Sequence, residues 1–119
     1  MNARKYILFV TALTFSVSCT NDSESDLTNY KPIGTVTYNG IVKTIVTENC
    51  IRCHAQPPQN GAPMPLLTYD NLKDAVLHRG LINRITSFDA SFGMPYGGPR
   101  LPELKIDQIK KWSDDNFPE

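Results

Sequence analysis

The sequence predicts a small all-α domain with about four short helices. Apolar residues recur at helical spacing in four stretches, at residues 41–48, 68–80, 81–87 and 103–112. Between these stretches, residues 55–65 and 88–99 are so rich in proline and glycine that neither can form a long helix. The chain has 119 residues, a length that allows one small domain.

Charge and composition narrow the classes of protein to which the chain can belong. It has 12 basic and 12 acidic residues, so a general nucleic-acid-binding role has no electrostatic support. Hydrophobic residues make up 40% of the chain, and part of them lie in the N-terminal segment. The core that remains is small, and a bound apolar cofactor would add to it.

Residues 1–18 are predicted to be a secretory signal peptide of the lipoprotein type. Two basic residues precede an apolar run at residues 6–15, which is too short to be a convincing membrane span. Small residues then lead to Cys19, and the arrangement resembles a bacterial lipoprotein signal, in which the cysteine becomes the lipid-bearing first residue. Ser16 stands where the commonest pattern has leucine. The alternative is a plain secretory signal followed by an odd thiol.

Residues 19–35 are predicted to be a lipidated N-terminus and flexible linker, and residues 36–119 the folded domain. Residues 20–29 are polar, acidic and almost free of large apolar side chains. Removing the signal peptide takes away two basic residues, which leaves 10 basic and 12 acidic residues and a net charge of −2. We therefore expect an exported domain at the periplasmic side of a bacterial membrane or at the cell surface, held by lipid on Cys19.

The stretch before residue 50 predicts an amphipathic helix that ends near Glu48. Its apolar residues form one stripe, at Ile41, Val42, Ile45 and Val46. Residues 35–40 have strand-and-turn composition, so a short hairpin is the local alternative. The helix is favoured, and it delivers Cys50 to the turn at its end.

Directly after this helix comes the run Cys50-Ile51-Arg52-Cys53-His54, a C-x-x-C-H motif. Such a motif predicts covalent attachment of one c-type haem. Cys50 and Cys53 can each add across one vinyl group, and His54 then lies where its imidazole can bind the iron as the proximal ligand.

Three other roles for the cysteines are less favoured. A thioredoxin-like dithiol normally sits in a strand–helix context, which the surrounding sequence does not have. A zinc site lacks a second cysteine pair, and the adjacent Cys53 and His54 would have to share one small ion. A disulfide across two intervening residues would close a tiny, strained loop and contribute little to stability.

Capping residues support the later helices. Thr68 can N-cap a helix that has Asp70 in its first turn and that Gly80 ends. A second short helix follows directly and ends near Ser87. The terminal helix has its apolar face at Ile106, Ile109 and Trp112.

A second iron ligand is predicted in the loop at residues 88–99. Met94 stands just before a proline and lies 40 residues beyond His54 (94 minus 54), enough chain to reach the other face of a haem. Met64 lies only ten residues beyond His54 and would strain to reach over. His78, at a predicted helix end, is the other competitor. Met94 is favoured, with an open position as the remaining possibility.

Taken in order, these elements resemble a small monohaem class I cytochrome c over roughly residues 36–117. After the C-x-x-C-H run, the residues that carry the resemblance are Met94-Pro95, Leu101 and Trp112. The resemblance implies a cytochrome c-like fold, in which about four short helices surround one covalently bound haem. It also implies that the first and last helices cross, with contacts among Val42, Val46, Ile109 and Trp112.

An iron held by both His54 and Met94 has no vacancy for a substrate, so the expected function is single-electron transfer and not catalysis. The expected partners are redox proteins that donate and accept electrons, and the domain is expected to be a monomer. Two alternatives stay open. One is a haem-bearing accessory subunit of a redox complex, and the other is a five-coordinate haem protein that senses a ligand or acts as a weak peroxidase.

Four further side chains are not predicted to belong to the site. Trp112 and Phe92 are predicted to be packing residues. Arg100 and Tyr96 could hydrogen-bond a haem propionate, but loop residues of these types are usually solvated.

Overall fold

Four α-helices make up most of the regular structure in residues 33–119, the part of the chain that the computed structural model describes. They are α1 (Lys43–Asn49), α2 (Tyr69–His78), α3 (Leu81–Thr86) and α4 (Glu103–Asp114), and a π-helical turn at Tyr38–Val42 leads directly into α1. These residues contain no strand, so the prediction of an all-α domain with about four short helices is confirmed for them. The predicted signal peptide, Cys19 and residues 20–32 of the predicted linker lie outside the described residues.

The first helical segment begins at Tyr38, before the apolar stripe that predicted it. Thr37 is extended and caps the segment, because its side-chain oxygen accepts a hydrogen bond from the Gly40 amide at 3.1 Å. A Cβ at residue 40 would lie 2.8 Å from that oxygen, so glycine leaves room for the cap. The hairpin alternative is wrong, since the strand-like residues before Gly40 supply a cap and the buried Tyr38 of a helix.

Helices α2 and α3 begin and end close to the predicted residues. Thr68 caps α2 by accepting from the Asn71 amide at 3.1 Å, and Asp70 lies in the first turn, where a negative charge is favourable. Gly80 separates the two helices in the left-handed conformation, with φ 66°, which glycine adopts without steric cost. The structure confirms both helices.

The first and last helical segments pack against each other in opposite directions. At one end the Tyr38 amide donates to the Pro118 carbonyl at 2.9 Å, and at the other Glu48 forms an ion pair with Lys105 at 2.9 Å. Between these ends lies one buried cluster that includes the four residues named by the resemblance, Val42, Val46, Ile109 and Trp112. The contact between these helices is present, and its α4 face consists of the three apolar residues that the periodicity predicted.

An aromatic cluster forms where the residues after α4 pack back onto the helices. Trp112 is 0% exposed, and its indole nitrogen donates to the Pro118 carbonyl at 2.9 Å. The Phe117 ring packs edge-on against it with centroids 4.9 Å apart, and the Tyr69 hydroxyl donates to the Phe117 carbonyl at 2.8 Å. This cluster lies at the N-terminal end of the first helical segment, next to Tyr38, whereas the C-x-x-C-H motif follows the C-terminal end of α1.

Candidate functional site

The C-x-x-C-H motif forms a tight turn at the end of α1. The Cys50 amide still donates to the helix, to the Val46 carbonyl at 2.8 Å. The amides of Cys53 and His54 then both donate to the Cys50 carbonyl, at 3.1 and 3.0 Å. Cys50, Cys53 and His54 are therefore held together by the backbone, and the two thiols are not joined in a disulfide.

The Cys50 thiol lies in an environment that disfavours its charged form. Burial, and then the neighbouring Cys53, raise the pKa of Cys50 from 9.0 to about 11. The thiol is therefore protonated at neutral pH, so Cys50 is not an activated nucleophile of the low-pKa kind found in redox enzymes. An uncharged thioether would suit the same surroundings.

His54 is the buried polar side chain of the described residues, with 9% of its surface exposed. Its Nδ1 lies 2.8 Å from the Met64 carbonyl oxygen. Because a carbonyl can only accept, this contact assigns the proton of the neutral ring to Nδ1 and leaves a lone pair on Nε2. Every fully buried side-chain nitrogen or oxygen in residues 33–119 has a hydrogen-bond partner. Nε2 has none, so it is not fully buried and is open to a ligand.

The proline-rich loop folds back onto this turn and supplies the acceptor. The Gln59 amide donates to the Cys53 carbonyl at 2.7 Å, and the Leu66 amide donates to the His54 carbonyl at 2.9 Å. These two bonds bracket Met64 and bring its carbonyl to Nδ1. The structure thus places the Met64 backbone beside the ring nitrogen that does not serve as the candidate iron ligand.

Met94 lies in the loop that follows α3, and not in the turn that holds the C-x-x-C-H motif. It is half-buried against the hydrophobic core, and its amide donates to the Arg84 carbonyl of α3 at 3.0 Å. It lines a surface cavity of about 330 Å³ together with loop residues that include Phe88, Pro95 and Arg100. Small-molecule pockets span about 300–1,000 Å³, so the cavity is at the lower end. Cys50, Cys53 and His54 do not line it. The structure brings these three together, and it does not place Met94 in one cavity with them.

Among the other residues considered in the sequence, the prediction for Phe92 is wrong. His78 is exposed at the last residue of α2. Phe92, predicted to pack, is instead 42% exposed, with the Arg84 guanidinium 4.6 Å from its ring centre, so it stacks on a cation at the surface. Tyr96 is 72% exposed, and Arg100 pairs with Glu103 at 2.7 Å.

The donor set in the turn fits a haem better than a bare metal ion. No group of three or more histidine, cysteine, aspartate or glutamate side chains suited to a metal ion comes together in residues 33–119. A porphyrin supplies four nitrogens to its own iron, so the protein needs to provide only axial ligands. Two neighbouring thiols and one oriented histidine meet that need.

Comparisons with known proteins give no relative: no family model, curated protein or solved structure matches the chain. In the described part of the chain, no helix combines the length and the apolar character needed to cross a membrane.

Two sets of contacts at the site have no signal in the sequence. They are the Met64 carbonyl at His54, and the contacts that tie the Met94 loop to α3.

Proposed function

We propose that the chain is a monohaem c-type cytochrome that carries single electrons between redox proteins. In this proposal Cys50 and Cys53 attach the haem, and His54 binds its iron through Nε2. The observation that carries the proposal is the 2.8 Å contact between His54 Nδ1 and the Met64 carbonyl. This contact orients the histidine of the C-x-x-C-H run and leaves Nε2, the nitrogen proposed to bind the iron, with its lone pair free.

A hydrogen bond of this kind acts on the ligand in two ways. It fixes the orientation of the imidazole ring, and it raises the basicity of the opposite nitrogen. The main chain on both sides of Met64 is tied to the turn, by Gln59 to Cys53 and by Leu66 to His54. The acceptor is therefore held in place on both sides, so the imidazole would stay oriented toward a bound iron.

Attachment through the two cysteines is chemically balanced without an oxidant. Each S–H would add across one vinyl double bond of the haem, so that a carbon–sulfur bond would form and the hydrogen would go to the neighbouring vinyl carbon. The product is an uncharged thioether, which suits the half-buried position that raises the pKa of Cys50 to about 11. No other thiol of residues 33–119 competes, since Cys50 and Cys53 are the cysteines of that range.

When bound, the haem supplies an iron that alternates between the ferrous and ferric states. Met94 is proposed as the second axial ligand, and its thioether sulfur favours the ferrous form. If His54 and Met94 both bound the iron, no position would be open to a substrate, which is why we propose electron transfer and not an enzyme activity. The proposed location is the periplasmic side of a bacterial membrane or the cell surface, with lipid on Cys19.

The test uses the full chain, expressed with its own N-terminal segment in a bacterium that attaches haem to exported proteins. Denaturing electrophoresis with haem staining should show covalent haem, and it should be lost in the double variant Cys50→Ala, Cys53→Ala. His78→Ala is the matched control for His54→Ala, because the chain has two histidines and His78 is exposed. We expect His78→Ala to keep the haem absorption spectrum of the unaltered protein and His54→Ala to change it. Absence of covalent haem in the unaltered chain would end the proposal.

Two measurements separate the alternatives. Carbon monoxide binding to the reduced native protein would indicate an open iron position, and hence a ligand sensor or peroxidase. The observation that favours this alternative is that Met94 does not line one cavity with His54. Co-purification with a larger redox complex in fixed ratio would indicate an accessory subunit. A free carrier should show neither property.

A further inference from the structure

The loop that carries Met94 leaves α3 at its C-terminal end and is tied back onto one residue of that helix. The carbonyl oxygen of Arg84 accepts the Met94 amide at 3.0 Å. The guanidinium of the same residue donates to the Phe92 carbonyl at 3.2 Å and stacks on the Phe92 ring, 4.6 Å from its centre. One residue thus holds the chain on both sides of Gly93.

The backbone at Gly93 also packs closely against the first part of the loop. The Gly93 amide donates to the Asp89 carbonyl at 2.6 Å. A Cβ at residue 93 would lie 3.0 Å from that carbonyl oxygen and 3.4 Å from the Ser87 carbonyl oxygen. The backbone of Phe92, Gly93 and Met94 is therefore confined between the loop on one side and Arg84 on the other.

The charge of Arg84 has no competing use within the described residues. Its guanidinium takes part in none of the ion pairs of residues 33–119, whereas Arg79 and Arg100, the arginines nearest to it in the chain, pair with Asp74 and Glu103. Arginine is suited to this role because its planar group can donate to a carbonyl and stack on a ring at once. Lysine is a point charge on a flexible stem and does this less well.

We propose that Arg84 is the positioning residue for Met94. In this proposal Arg84 holds the methionine loop, residues 88–99, against α3, so that the thioether of Met94 is presented to the iron. The inference rests on the proposed function, since it needs a bound haem as the target of Met94. Loss of the guanidinium removes a charged hydrogen bond and a stacking contact while the main-chain bond from Met94 remains. We therefore expect the methionine to leave the iron more often, and the protein to stay folded.

The test measures how readily added imidazole replaces the methionine in the oxidised full-length holoprotein. A strained or mobile methionine loop raises the apparent affinity for imidazole in proportion to the population that has left the iron. For Arg84→Gln we expect an increase of about tenfold, the order set by one charged hydrogen bond with its stacking contact. Arg84→Lys should fall between this variant and the unaltered protein. The weak long-wavelength absorption band of methionine-bound ferric haem should diminish in the same order.

Two further variants distinguish the possible failures. Arg79→Gln is the matched control, because its exposed side chain pairs with Asp74 and its ion pair does not involve the methionine loop; its imidazole affinity should be unchanged. Met94→Ala should bind imidazole most tightly and lack the absorption band. If Met94→Ala behaves as expected and Arg84→Gln binds imidazole like the unaltered protein, the role of Arg84 is refuted while the haem assignment stands. If Met94→Ala has no effect, or no covalent haem forms, the proposed ligand or the proposed function fails, and the inference fails with it.

Discussion

Gly93→Ala should displace the methionine loop, and its effect on stability can be worked out from two opposing contributions. The new Cβ would lie 3.0 Å from the Asp89 carbonyl oxygen and 3.4 Å from the Ser87 carbonyl oxygen. Both are backbone atoms that cannot rotate away, so the strain should be of the usual size for overpacking, about 1–3 kcal/mol. Replacing glycine by alanine also restricts the unfolded chain, which favours folding by about 0.4–1 kcal/mol. The strain is the larger contribution, so the free energy of unfolding should fall.

Gly98→Ala is a matched control in the same loop. Its Cβ would meet the Pro95 side chain at 3.7 Å and the Pro95 carbonyl oxygen at 3.8 Å, which are ordinary contacts. The change in the unfolded chain is the same, so the two variants should differ by the strain alone, about 1–3 kcal/mol. Urea denaturation of both holoproteins measures this difference through the transition midpoints.

The spectra of the same two variants test the connection to the site. Gly93→Ala should lose part of the methionine-bound absorption band, because any shift of residue 93 moves Met94. Gly98→Ala should keep the band. Equal midpoints and equal spectra for the two variants would show that the segment next to Met94 is not confined as the structure indicates.

Three further predictions concern the thiols, a helix cap and the anchor. Because the pKa of Cys50 is raised from 9.0 to about 11, the associated stability is complete below pH 9 and is lost as the pH rises towards about 11. The melting temperature of the haem-free chain should fall across this window, and an equally steep fall in Cys50→Ala would contradict the assignment. Thr68→Ala should destabilise the protein by about 1 kcal/mol through loss of the α2 cap. Thr47→Ala, at an exposed position inside α1, should cause no such loss in urea denaturation. Cys19→Ala should move the protein from the membrane fraction to the soluble fraction with its haem intact; retention in the membrane would refute the lipid anchor.

Most of the helices could be predicted because their signals are local. The cap at Thr68 and the left-handed Gly80 act within a few residues of themselves, and the stripe of α4 follows from its spacing. The start of the first helical segment was less evident, since residues 35–40 have strand-like composition. Burial of Tyr38 against Trp112, with ring centroids 6.0 Å apart, favours the helix there. Phe92 shows the reverse case, because a hydrophobic residue in a loop gives no indication of whether it will reach the core.

The candidate site divides in the same way. Cys50, Cys53 and His54 are contiguous, so their chemistry could be recognised from the sequence by itself, and a helix end suffices to hold them together. The orientation of His54 by the Met64 carbonyl, and the hold of Arg84 on the Met94 loop, depend on how two irregular loops return to the helices. Such contacts join residues eight to ten positions apart through turns without periodicity. The sequence therefore determined which groups are available for the chemistry. Only the tertiary structure decided which nitrogen of His54 is left free and how the loop with Met94 is held, because loop paths are set by packing and not by local pattern.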